Sequence, residues 1–148
     1  MCEFMSWIEK DKSILFLTAN MVFNSEKGKK LQAWSGNSDD YTGHGTIRFY
    51  YELDLYDGID KECTDFSTPA NFPNAITHAI KDGKMRGLGM DRGLLTLQAC
   101  AEHEKAERQA WIEYHKVEKL AWAEYEKIKQ QAFWDLFAIP ENRNPAWV

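Results

Sequence analysis

The clearest pattern along the chain is the alternation from Thr46 to Tyr56. Ile47, Phe49, Tyr51, Leu53 and Leu55 fall on one side, and Thr46, Arg48, Tyr50, Glu52, Asp54 and Tyr56 on the other. A period of two belongs to a half-buried strand, so this segment predicts the central strand of an antiparallel sheet. Asp57-Gly58 favours a tight turn after it, and Ile59 to Phe66 would return antiparallel. Ser13 to Thr18 is a short run of branched and aromatic residues, which predicts a buried strand. Asn24 or Ser25 would cap a short helix ending near Trp34, anchored by Phe23, Leu31 and Trp34, with Gly28 a propensity cost inside it. Ser35 to Gly45 reads as a polar loop. Pro69 and Pro73 bracket the start of another short helix; Phe72, Ile76 and Ile80, four apart, form its apolar stripe, and Gly83 ends it. Met85 to Met90 is a weak last strand, rich in glycine.

Residues 94–137 change character: they contain no Gly and no Pro and are rich in Ala, Glu, Lys and Gln, all strong helix formers. The helix is expected to stop before Pro140. A repeat of eleven residues runs through it. Ala99, Ala110, Ala121 and Ala132 align, as do Cys100, Trp111, Trp122 and Phe133, and as do Ala106, Val117 and Ile128. His103, Tyr114, Tyr125 and Leu136 align too, and Glu102, Glu113, Glu124 and Asp135 form an acidic column. Eleven residues make three turns at about 3.67 per turn, so the stripe barely drifts around a straight helix. About 40 helical residues would be roughly 60 Å long. Trp111, Tyr114, Trp122, Tyr125 and Phe133 share one side, with alanines beside them. Either the stripe is covered by a hairpin within the chain or it pairs with a second copy. Nothing between Thr96 and Ile139 supplies a loop, so the expectation is an extended helix in a homodimer or higher oligomer.

The fold class predicted is α+β: a small antiparallel sheet with short helices, then a long C-terminal helical segment carrying the repeat. The α/β head is placed at residues 1–93 and the helical tail at 94–148. A length of 148 residues, with 44% hydrophobic and 28% charged, suits one folded domain and argues against disorder. The net charge of -5 speaks against duplex nucleic acid as a partner. No apolar run is long enough to span a bilayer, and no basic segment precedes one, so neither a membrane nor a secretory signal is expected and the reading is cytoplasmic. Aromatics reach 14%, a density that points to core or interface. Cys2, Cys63 and Cys100 are widely spaced, which supports neither a disulfide framework nor a zinc site. No metal or cofactor is expected.

Candidate chemistry is sparse. His44 sits between two glycines in Thr42 to Arg48, with Asp39 and Asp40 near enough in sequence for a His–carboxylate pair; the plainer reading is a surface loop. Arg48 beside Tyr50 could grip an anion while the ring stacks on a flat group, or could be part of a solvated sheet face. Thr64, Asp65, Phe66 and Asn71 gather short donors and acceptors around one ring ahead of a helix N-terminus; ordinary capping with Phe66 in the core is the alternative. Cys63 reads as a small buried hydrophobe. Lys27, Lys29 and Lys30, or Arg86 and Arg92, could line an anionic pocket. No nucleophile elbow, zinc-protease or phosphate-loop motif is present, so no catalytic residue is assigned and an enzyme ranks third.

Three stretches carry a resemblance: CTDFSTPANFPNAI at Cys63 to Ile76, the AWIEY and AWAEY units at Ala110 to Tyr114 and Ala121 to Tyr125, and LFAIPENRNPAW at Leu136 to Trp147. Together they resemble small bacteriophage proteins with an α/β head and a helical tail bearing WAEY-type units. In size and in having C-terminal helices the chain also resembles phage anti-defence proteins of the anti-Thoeris type, which form oligomers and sequester signalling nucleotides. That resemblance implies a phage protein in the host cytoplasm that sequesters a small phosphorylated, nucleotide-like signal without catalysis. It transfers no binding residue. The alternative is a structural or protein-interaction phage protein that works through its long helix. Arg48, Tyr50, His44, Thr64, Asp65, Phe66, Asn71 and Arg86 are the ligand-site candidates.

Overall fold

A computed structural model of the chain describes residues 4–36, 41–89 and 92–147. It divides into two compact units, Met1–Thr96 and Leu97–Val148. The first is built on a three-stranded antiparallel sheet of β1 (Met5–Lys10), β2 (Ser13–Leu15) and β3 (Ile59–Cys63), in the order β2-β1-β3. Ile8 stands opposite Leu15 on one side and Asp60 on the other. The central strand is therefore β1, a segment with no alternation to announce it. Its sequence MSWIEK is buried on both faces. Met5 and Trp7 enter one core with Phe66, Phe72, Ile76, Ala79 and Met85; Ile8 enters a second with Leu17, Val22, Leu31 and Ile47. A strand covered on both sides needs no polar face, so its period is hidden. The β1–β2 turn is equally quiet in the sequence, because Asp11 and Lys12 take left-handed φ of 49° and 66° without a glycine.

The segment expected to be the central strand is a helix. α3 (His44–Tyr51) begins after Gly43 and ends where Glu52 adopts a left-handed conformation and its N–H bonds back to Arg48 and Phe49. The apolar positions from 47 to 56 satisfy two periods at once. Read helically, Ile47, Tyr50 and Tyr51 lie three and four apart and pack into the second core. Leu55 and Tyr56, the end of the supposed strand, lie exposed in the connection to β3. Both edges of β1 are already taken, and β3 returns antiparallel to β1, not to residues 46–56. β3 is an edge strand with exposed Asp60, Lys61 and Glu62, a charged edge that discourages further pairing. Met85 to Leu88 form turns, with Met85 buried, where a last strand was expected; Met90 lies outside the described residues.

The remaining head helices form for local reasons. α1 (Ala19–Phe23) is capped by Thr18, and α2 (Glu26–Ser35) by Ser25, whose Oγ accepts from the Gly28 N–H at 2.9 Å. Gly28 is required: a Cβ there would lie 2.2 Å from the Met21 and Val22 carbonyl oxygens, so α1 and α2 meet backbone to backbone. Of the three expected anchors, Leu31 is buried, while Phe23 and Trp34 are exposed. α4 (Asn74–Lys81) follows a single 3₁₀ turn at Pro69–Asn71 and buries Ile76 and Ala79. Gly83, at φ 70°, follows it, and its N–H bonds to Ile80 O.

The second unit is α5 (Leu97–Ala138), one uninterrupted helix of 42 residues, about 63 Å at 1.5 Å per residue. Its end is closed by the following turns. The Arg143 guanidinium donates to the carbonyls of Phe137 at 2.8 Å and Ala138 at 3.3 Å, and Asn142 donates to Leu136 O. A cation on the last carbonyls satisfies orphan acceptors and complements the helix dipole. No described helix is long and apolar enough to cross a membrane.

Candidate functional site

Among the described residues, the longest run of exposed large apolar side chains is on α5, of which none of the described residues is buried. Four columns of the repeat, those containing Val117, Ala121, Tyr114 and Trp111, span about 130° of the helix at 3.67 residues per turn. That width is typical of a face packed on something else. Yet Trp111 is 63% exposed, Tyr114 62%, Trp122 64%, Tyr125 54% and Phe133 59%. Ile112, Leu120 and Trp134 project outside this stripe.

Local contacts hold the rings in place. The His115 ring lies edge-on to Trp111 at 3.9 Å between centroids, and its Nδ1 is 2.7 Å from Glu118 Oε2. Trp122 packs on Tyr125 at 5.4 Å, and Lys129 lies over the Tyr125 ring at 5.3 Å while bonding Glu126 at 2.6 Å. Glu118 and Lys129, the charges that intrude between the tyrosine and tryptophan columns, are each tied to a neighbour on the same helix. The rings and the two charged side chains among them are thus braced by contacts along the helix itself. The cleft beside Trp122, formed with Glu118, Ala121 and Tyr125, is a surface depression of one helix and not an enclosed site.

In the head, the expected ligand residues fall into separate groups: Arg48 and Tyr50 line one groove, while His44, the 63–71 group and Arg86 do not line it. Arg48 lines the space between α2 and α3, and its guanidinium is at the same time held by the fold. It donates to the Asp54 carbonyl, to the Asp57 carbonyl at 2.9 Å and to Asp60 Oδ1 at 2.6 Å. With only 12% of its side chain exposed, it pins the 52–58 connection to β3. His44 opens α3 instead of lying in a loop, and its Nε2 is 2.8 Å from Lys61 O. Its supposed partners Asp39 and Asp40 lie outside the described residues.

The 63–71 group sits elsewhere again. Thr64 is exposed; Asp65 Oδ1 accepts from the Ser67 N–H at 3.0 Å, and the Asp65 carbonyl accepts from Asn71 Nδ2 at 3.0 Å. The Ser67 hydrogen bonds hold the Asp65 carboxyl below the usual carboxylate range. Phe66 is buried against Phe72 at 4.8 Å. The adjoining helix starts only at Asn74, with Pro73 before it and no side-chain cap. These are the contacts of a tied connection. Arg86 is exposed in the turns after α4. No group of His, Cys, Asp and Glu that could hold a metal occurs among the described residues.

What the structure does assemble is a groove between α2 and α3. It holds about 440 Å³ and is lined by Lys27, Lys30 and Trp34 from α2, by Gly45, Arg48, Phe49 and Tyr50 from α3, and by Glu52 and Leu53 after it. Lys27, Lys30 and Trp34 share one face of α2, three and seven residues apart. Trp34 stacks on Phe49 at 4.6 Å with 17° between the planes. The signal for this group was helical spacing, which reading 46–56 as a strand concealed. Comparison with protein-family models, curated proteins and solved structures found no match for this chain.

Proposed function

We propose that this is an interaction protein that works through α5, and that the partner seated on its aromatic face is a second copy of the chain. The observation that carries the reading is the stripe itself, ordered aromatics more than half exposed along a helix that buries none of its described residues. Rings of about 150–250 Å² each, exposed as these are, offer roughly 80–160 Å² apiece. The five together supply roughly 400–800 Å², and Val117, Ile128 and Leu136 add to it. A stable protein–protein interface takes about 800 Å² from each side.

A second copy suits this face for a geometric reason. Three of the large rings are each preceded by an alanine: Trp111 by Ala110, Trp122 by Ala121 and Phe133 by Ala132. Rings and alanine gaps recur at the same interval of eleven, so one copy offers both the knobs and the holes its twin needs. Light scattering on the full chain at micromolar concentration tests this. The expected mass is that of a dimer or larger closed oligomer; a mass of 17.2 kDa across that range would refute it. Capture of a small anion by the head is a separate role, supported by the α2–α3 groove.

A further inference from the structure

We propose that the α2–α3 groove of the head binds a planar aromatic anion, a flat ring carrying a phosphate or carboxylate. Three features of the groove converge on that chemistry. The first is a ring platform. Trp34 and Phe49 stack nearly parallel at 4.6 Å, yet Trp34 remains 55% exposed and Phe49 36%. An aromatic pair held in place with an open face receives a further ring without new ordering, and stacking is indifferent to which ring it is.

The second feature is charge. Lys27 and Lys30 stand on the same rim. Lys27 reaches over the Tyr50 ring at 5.9 Å, and its Nζ is 3.7 Å from Glu52 Oε1. That ion pair is long and exposed, so it competes weakly with an incoming anion. On a chain of net charge -5, a local pair of ammonium groups attracts a small anion and not a polyanion. Arg48 also lines the groove, but its charge is offset by the Asp60 carboxylate at 2.6 Å, so the two lysines are the cations left to meet an anion.

The third feature is room. Gly45 lines the groove, and a Cβ added there would meet nothing within 4 Å. The glycine leaves space where α3 would otherwise present a side chain. A volume of about 440 Å³ lies within the range of small-ligand sites, about 300–1,000 Å³. Cations, ring platform and space therefore line one groove within two turns of α2 and the facing turns of α3.

Titration calorimetry on the full chain with four probes tests the assignment: adenosine monophosphate, indole-3-acetate, adenosine and inorganic phosphate. At least one of the two aromatic anions should bind about tenfold or more tightly than both adenosine and phosphate. Its affinity should fall about tenfold or more in Trp34→Ala and in Lys30→Glu, both at exposed positions, and rise in Glu52→Gln. Gly45→Leu, which fills the groove, should abolish binding while leaving the far-ultraviolet dichroism unchanged. Aromatic anions that bind no better than adenosine or phosphate would overturn the proposal. So would an affinity that Trp34→Ala and Lys30→Glu leave unchanged.

Discussion

Replacing Trp122 by Glu tests the assembly reading most sharply. Trp122 lies midway along the aromatic stretch from Trp111 to Phe133 and is 64% exposed on the isolated chain. A Trp side chain of about 250 Å² then offers roughly 160 Å² to a partner. If half of that is covered, about 80 Å² at 25 cal/mol per Å² is worth about 2 kcal/mol in each copy. A symmetric pair loses it twice, about 4 kcal/mol, and 1.4 kcal/mol is a factor of ten in the dissociation constant. The variant should therefore dissociate about a thousand times more readily, before the cost of a carboxylate in an apolar seam is added. Light scattering at matched micromolar concentrations should show the wild type assembled and Trp122→Glu reduced to the monomer. Helicity of α5 should fall together with the mass, since a solitary helix of this length depends on its packed face. An assembled Trp122→Glu with unchanged mass would refute the reasoning, because no other ring of the stripe lies closer to the middle of its length.

Three further outcomes follow from the head. Gly28→Ala should destabilise it by about 2 kcal/mol or more despite the helix-propensity gain of about 1 kcal/mol, because the new methyl would meet backbone at 2.2 Å; a thermal melt at or above that of the wild type would contradict the α1–α2 approach. Lys12→Gly should stabilise by about 1 kcal/mol, since a side chain at φ 66° in a two-residue hairpin is strained; urea denaturation measures it. Asp57 is held below its ordinary pKa by the Lys10 and Asp54 hydrogen bonds, and Asp65 by those of Ser67. The unfolded chain takes up these protons first, so their stabilisation is full above the ordinary value of 3.8 and is lost as pH falls through the lowered values. Melts between pH 5 and 2 should show this loss, weaker in Asp57→Asn.

The tail was decided by sequence alone to a degree the head was not. Helix α5 is written in single residues, in the absence of Gly and Pro and in helix-forming side chains, and its eleven-residue repeat marks the face without any tertiary information. Caps behave in the same way: Ser25 and the Pro69–Pro73 bracket are local devices, and the helices begin close to where they point. The small antiparallel sheet was legible as a class, from short branched runs and turn residues.

Which strand lies at its centre was not legible, because that depends on what covers each face. β1 is buried on both sides and shows no alternation, whereas residues 46–56 alternate and yet coil, with Ile47, Tyr50 and Tyr51 drawn into a core that only the folded chain supplies. Arg48 illustrates the consequence for the site. Its neighbours in sequence made it a ligand clamp; in the fold it lines the groove, while carbonyls six and nine residues away and a carboxylate twelve away take three of its five N–H donors. Lys27, Lys30, Trp34 and Phe49 come from two helices whose facing surfaces no local pattern relates. Short-range propensity sets where a helix begins and which side of it is apolar. Competition among distant segments for the same buried surface decides the rest.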